Sequence, residues 1–112
     1  ICDQETNQMI GSIKFEKLDE IKGEAELGYF LRKDFWGKGL MTEAVKELVY
    51  LSFEKFQLKE LKIVTHVENA GSQKVALKAG FRLFRQFKGS DRYTRKMRDY
   101  YDFRLGRGDF YE

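Results

Sequence analysis

The chain predicts an α+β fold, a mixed β-sheet with two helices packed on it, in the order β-β-β-α-β-α-β-β. Strand-like alternation fills the chain up to Arg32, ahead of any helical pattern. One long stretch of helical periodicity follows, and a second, shorter helix is bracketed by a capping asparagine and a glycine. Three strands ahead of the first helix argue against a simple parallel wound sheet.

Residues 1–18 divide around the polar cluster Glu5-Thr6-Asn7-Gln8 into a short strand and a second one, where Ile13 and Phe15 alternate with Ser12, Lys14 and Glu16. Asp19 to Gly23 is a polar turn. Glu24 to Arg32 alternates through Ala25, Leu27, Tyr29 and Leu31 and predicts the third strand. After the glycine-bearing turn Asp34-Phe35-Trp36-Gly37-Lys38-Gly39, the segment Leu40 to Phe56 places Met41, Ala44, Val45, Leu48, Tyr50, Leu51 and Phe53 against charges at Glu43, Lys46, Glu47, Glu54 and Lys55, an amphipathic helix. Leu61 to Val67 is short and β-branched, hence a strand. Asn69 is a good N-cap for a helix reaching about Lys78, and Gly80 is its C-terminal cap. Phe81 to Phe87 and Met97 to Leu105 are aromatic-rich strands of a long hairpin, separated by Gly89-Ser90-Asp91.

With 42% hydrophobic and 15% aromatic residues and no proline, residues 1–112 are expected to form a single domain with a real core. Cys2 is the only cysteine and His66 the only histidine, which excludes an internal disulfide and a Cys/His zinc site, and a metal enzyme is not expected. No run approaches the ~20 apolar residues of a bilayer span, and no basic-then-apolar leader opens the chain. A cytoplasmic protein with no membrane partner is therefore expected. The net charge of +3 is too weak to demand a nucleic-acid partner. Residues 1–80 hold 12 basic and 13 acidic side chains and residues 81–112 hold 9 and 5, so the basic surplus sits in the last third. Opening at Ile1 and reading as strand almost at once, the chain is expected to be N-terminally incomplete.

The segment Glu26 to Glu43 concentrates the chemistry. A strand feeds a tight turn with Gly37 and Gly39, and a helix begins at once. Glycines there let main-chain N–H groups turn toward one point, and the first helical turn adds unpaired donors and the positive dipole end, a site suited to a phosphate or pyrophosphate as well as an ordinary helix start. Walker and dinucleotide-binding spacings are absent, so neither ATP nor NAD is supported. Asn69 and Ser72 fall together in the first turn of the second helix, beside a strand end, where both also read as capping residues.

Trp36-Gly37-Lys38-Gly39-Leu40-Met41-Thr42-Glu43-Ala44, preceded by Glu26-Leu27-Gly28-Tyr29 and followed by Asn69-x-x-Ser72 and Lys78-x-Gly80-Phe81, resembles the GNAT N-acetyltransferase superfamily, and within it the RimJ/RimL branch that acetylates protein N-terminal amines. The resemblance spans roughly residues 9–105. It implies a mostly antiparallel sheet that binds acetyl-CoA. Main-chain amides of Trp36, Gly37, Lys38, Gly39, Leu40, Met41 and Thr42 would hold the pyrophosphate of coenzyme A. Main-chain groups around Phe30 and Leu31 would take the pantetheine arm, where the strand splays from its neighbour. Asn69 would contact that arm, Ser72 would lie near the thioester sulfur as the acid, and Glu26 would be the base, acting through water. Asp34 departs from the Gln or Arg that often opens the phosphate motif, leaving Arg32 or Lys33 to replace that contact. Ala76 stands where many relatives carry a tyrosine acid. The family has a further strand and helices before this start, which help form the acceptor side.

His66 reads as a packed or exposed strand side chain, Phe35 and Trp36 as packing under the turn, and Cys2 as having no visible partner. An exposed sheet edge predicts a homodimer. Competing with an amine N-acetyltransferase are a non-catalytic CoA-binding module of the same fold, and a ribosome- or RNA-binding domain using Arg92, Arg95, Lys96 and Arg98.

Overall fold

The computed structural model describes residues 9–37, 39–91 and 94–111. The expected first strand, Cys2, Lys38 and Arg92 lie outside the described residues. Strand β1 (Gly11–Asp19) turns into β2 (Glu24–Leu31), and a short 3-10 turn (Lys33–Phe35) leads to helix α1 (Leu40–Glu54). Then come β3 (Glu60–His66), α2 (Ala70–Lys78), β4 (Arg82–Ser90), β5 (Met97–Gly106) and a single helical turn, α3 (Arg107–Phe110), which the periodicity did not foretell.

The strands form one sheet in the order β1-β2-β3-β5-β4. Its neighbours pair antiparallel except β2 and β3, which run parallel as the crossover through α1 requires. Alternation assigns the two faces. Ala25 and Leu27 of β2, Leu61 and Ile63 of β3, and Phe103 and Leu105 of β5 join Met41, Val45, Val49 and Phe53 of α1 and Ala76 of α2 in the core. On α1 the buried stripe runs through Val49, four residues from both Val45 and Phe53, while Tyr50 points outward.

The other face is charged. Asp102 is fully buried there, between the guanidinium groups of Arg85 and Arg104 at 3.1 Å each, and Arg104 continues to Glu60 at 3.2 Å. This network ties β4, β5 and β3 together.

The hairpin differs from expectation in one respect. Gly89 and Ser90 belong to β4, paired with Arg98 and Met97, so the turn begins at Asp91. The Asp91 carboxylate accepts from the main-chain N–H of Thr94, and the Asp91 N–H donates to the Lys96 carbonyl. Gly89 serves packing, since a Cβ there would stand 3.3 Å from the rings of Phe87 and Tyr100. Among the described residues, no helix is long and apolar enough to cross a membrane.

Candidate functional site

The β2–β3 ladder is short. It pairs Glu24 with Glu60 through Leu27 with Ile63, and the two strands part beyond that point. Each keeps its outer partner, since β1 follows β2 to Leu31 and β5 follows β3 to His66. Gly28 to Leu31 and Val64 to His66 therefore present main-chain groups toward a gap rather than toward each other. A cleft of about 580 Å³ passes through the sheet here, lined by Glu26 and Tyr29 of β2, Val64 and His66 of β3, and Asn69 and Ser72 at the start of α2.

Glu26 and Ser72 enter this cleft from opposite faces. Glu26 stands half-buried on the charged face, in register with Lys17 of β1 and Lys62 of β3. Gly28 lets the Glu16 side chain lie across the strand at the cleft mouth, because any Cβ at that position would collide with it. Asn69 caps α2, its Oδ1 accepting from the Ser72 main-chain N–H at 3.0 Å, and Gly80 ends the helix with φ +98°. The capping reading and the cleft position of Asn69 and Ser72 thus coexist.

At the glycine turn, Gly37 and Gly39 have φ of +79° and +75°, conformations that disfavour any residue with a Cβ. Among the described residues, and apart from each glycine's chain neighbours, nothing lies within 4 Å of where either Cβ would be. Gly39 caps α1 without a side-chain hydrogen bond, and the first-turn N–H groups of a helix have no intrahelical partner, which suits those of Leu40, Met41 and Thr42 to an outside acceptor. The Met41 side chain is in the core, so only its backbone can serve the turn. Trp36 fastens the turn to β2 by donating its indole N–H to the Leu31 carbonyl at 2.7 Å, and Arg32 pairs with Asp34 at 2.9 Å. The exposed Phe30 ring points away from the helices. Of the described residues predicted for the site, Glu26, Asn69 and Ser72 share the cleft, whereas Phe30, Leu31, Trp36, Gly37, Gly39, Leu40, Met41 and Thr42 do not line it.

Sequence reasoning passed over several cleft residues. The Tyr29 hydroxyl meets Ser72, and burial raises its pKa above the usual phenol value, with the Ser72 hydrogen bond lowering it in part. His66 stacks on Tyr100 at 4.7 Å, and its Nε2 stands 3.6 Å from the largely buried Asp91 carboxylate. Its Nδ1 is buried with no hydrogen-bond partner among the described residues. Tyr29 could have been placed by alternation with Leu27, whereas the meeting of His66 and Asp91 had no local signal.

The acetyltransferase (GNAT) domain family model matches residues 1–82. The chain is similar to the uncharacterized N-acetyltransferase p20 of Bacillus licheniformis, 30% identical over 105 residues, covering 94% of this chain and 59% of that protein. It is 31% identical over 75 residues to the ribosomal-protein-serine acetyltransferase of Escherichia coli, covering 67% of this chain and 42% of that one. Among solved structures, the microcin C7 self-immunity acetyltransferase MccE, in complex with acetyl-CoA and AMP, superposes with a TM-score of 0.80 at 25% identity over 89% of this chain and 56% of its own. The chain thus spans about half the length of these relatives. A family model matching most of the chain, joined to a parted parallel strand pair beside a glycine turn, shows that the chain belongs to the GNAT acetyltransferase domain family.

Proposed function

We propose that this domain binds acetyl-CoA and takes part in transferring its acetyl group to a primary amine, a protein N-terminal amine or a small-molecule amine, by direct attack. The observation that supports this most is the parting of β2 and β3 after Leu27 and Ile63, in a chain whose glycine turn has open space, among the described residues, where a Cβ at Gly37 or Gly39 would stand. The residues present suit the group. The amides of Trp36 to Thr42 would hold its pyrophosphate, and main-chain groups around Phe30 and Leu31 on the open arm of β2, with Asn69, would hold the pantetheine arm. When bound, acetyl-CoA supplies the acetyl group as an activated thioester.

Glu26 accepts the amine's proton through water as the nitrogen forms its bond to the acetyl carbon. Ser72 donates a hydrogen bond to the sulfur that leaves with the electron pair of the broken C–S bond. An α-amine with pKa near ~8 costs roughly 1.4 kcal/mol to deprotonate at pH 7, against roughly 4.6 for a lysine near ~10.4. A water-mediated carboxylate suits the α-amine, and similarity to a ribosomal-protein acetyltransferase favours the same acceptor class.

Thermal unfolding with acetyl-CoA at about 100 times its dissociation constant tests the reading, with ~2.7 kcal/mol of stabilisation expected. Incubation with a peptide bearing a free N-terminus should then yield the acetylated peptide by mass spectrometry. Absence of any stabilisation would sink the proposal, and stabilisation without transfer to any amine would leave a non-catalytic CoA-binding module.

A further inference from the structure

Tyr29 lies on the open arm of β2 and reaches across the cleft to α2. Its phenolic oxygen is 2.8 Å from the Ser72 hydroxyl and 3.1 Å from the Ser72 carbonyl. Ser72 is held from its other side, because its main-chain N–H donates to Asn69. A serine hydroxyl in a first helical turn otherwise samples several rotamers and several proton directions.

We infer that Tyr29 is the positioning residue for Ser72, its single phenolic proton shared between the serine hydroxyl oxygen at 2.8 Å and the serine carbonyl at 3.1 Å, so that the serine's own proton points into the cleft. This rests on the reading of Ser72 as hydrogen-bond donor to the departing sulfur. A hydroxyl that accepts one hydrogen bond becomes a stronger donor of the next, so the phenol polarises the serine as well as orienting it. Burial keeps Tyr29 in its neutral, donating form. The phenol also stands where the helix offers none, since position 76 on α2 is a fully buried alanine. A strand residue from the facing wall thereby supplies an aromatic hydroxyl to this cleft.

Steady-state kinetics on Tyr29→Phe, Ser72→Ala and the double variant tests the assignment, with acetyl-CoA stabilisation measured for each. Tyr29→Phe should lower kcat about tenfold through lost orientation, with KM for the amine and the stabilisation by acetyl-CoA unchanged. Ser72→Ala should lower kcat about 10²-fold, and the double variant should match it within about twofold, because the phenol acts only through the serine. Losses that multiply in the double variant, an unchanged kcat for Tyr29→Phe, or weakened acetyl-CoA stabilisation would each overturn the inference. Circular dichroism establishes that the variants are folded, and Tyr29→Leu repeats the comparison should Tyr29→Phe be unfolded. If the unsubstituted chain is not stabilised by acetyl-CoA, the functional reading falls and takes this assignment with it. If it is stabilised and the kinetic pattern differs, the assignment falls alone.

Discussion

Glu26 and Ser72 open into one cleft from opposite faces of the sheet, so substitutions at the two positions test the proposed proton acceptance and the proposed hydrogen-bond donation separately. Glu26→Gln keeps the size and strand register of the side chain but cannot take a proton. Turnover should fall while acetyl-CoA stabilisation stays constant, and a parallel fall of both would make Glu26 structural. Ser72→Ala leaves the Asn69 cap intact, since Asn69 accepts from the main chain, so a fold-preserving loss of rate is expected there. Tyr29 adds a pH dependence. Burial raises its folded pKa above 10, so the folded state retains a proton that the unfolded chain releases. Its contribution to stability is full below pH 10 and is lost as pH rises through the higher folded value. Tyr29→Phe should flatten this alkaline fall in melting temperature, leaving the part due to Tyr111, whose pKa is raised by its hydrogen bond to Glu54.

At the scale of elements, the glycine turn and α1 act as a unit. Gly39 combines a left-handed backbone with the N-cap position, so Gly39→Ala should cost about 1–3 kcal/mol of backbone strain and displace the first-turn amides. Acetyl-CoA stabilisation should drop by more than the loss in intrinsic stability, and Gly39→Asn should be milder because asparagine tolerates this conformation. Equal effects of the two substitutions, seen by thermal unfolding with and without acetyl-CoA, would detach the turn from binding. Periodicity and capping residues located α1, β3 and α2 closely, because each is decided within a few neighbouring positions. The end of β4 escaped them. Gly89 and Ser90 have turn-like chemistry, yet the ladder to β5 and the rings of Phe87 and Tyr100 decide their conformation.

For the molecule as a whole, one buried cluster couples the sheet to its helices. Phe53 is fully buried, its ring packs 5.1 Å from Phe110, and its carbonyl accepts from the Arg107 guanidinium, joining α1 to the terminal turn α3. Phe53→Ala should destabilise the fold by about 3–5 kcal/mol, measured by denaturant unfolding. A loss below about 1 kcal/mol would mean that the core collapses around the vacancy at little cost. The α3 turn had no repeating pattern to announce it. The Arg107 N–H donates to the Lys59 carbonyl, so its position depends on a distant loop.

Alternation, helical period, caps and glycine placement determined the five described strands, the helices α1 and α2 and their order, because side-chain direction repeats over two to four residues and caps act within one turn. The family resemblance pointed to Glu26, Asn69 and Ser72, and the fold brings these three to one cleft. The parting of β2 from β3 was legible only through the family resemblance, and two features had no signal at all: the buried Asp102 network, and the meeting of Tyr29 with Ser72 across 43 positions. Each joins segments far apart in the chain, and such contacts are selected by the packing of complete elements once loop closure has been overcome.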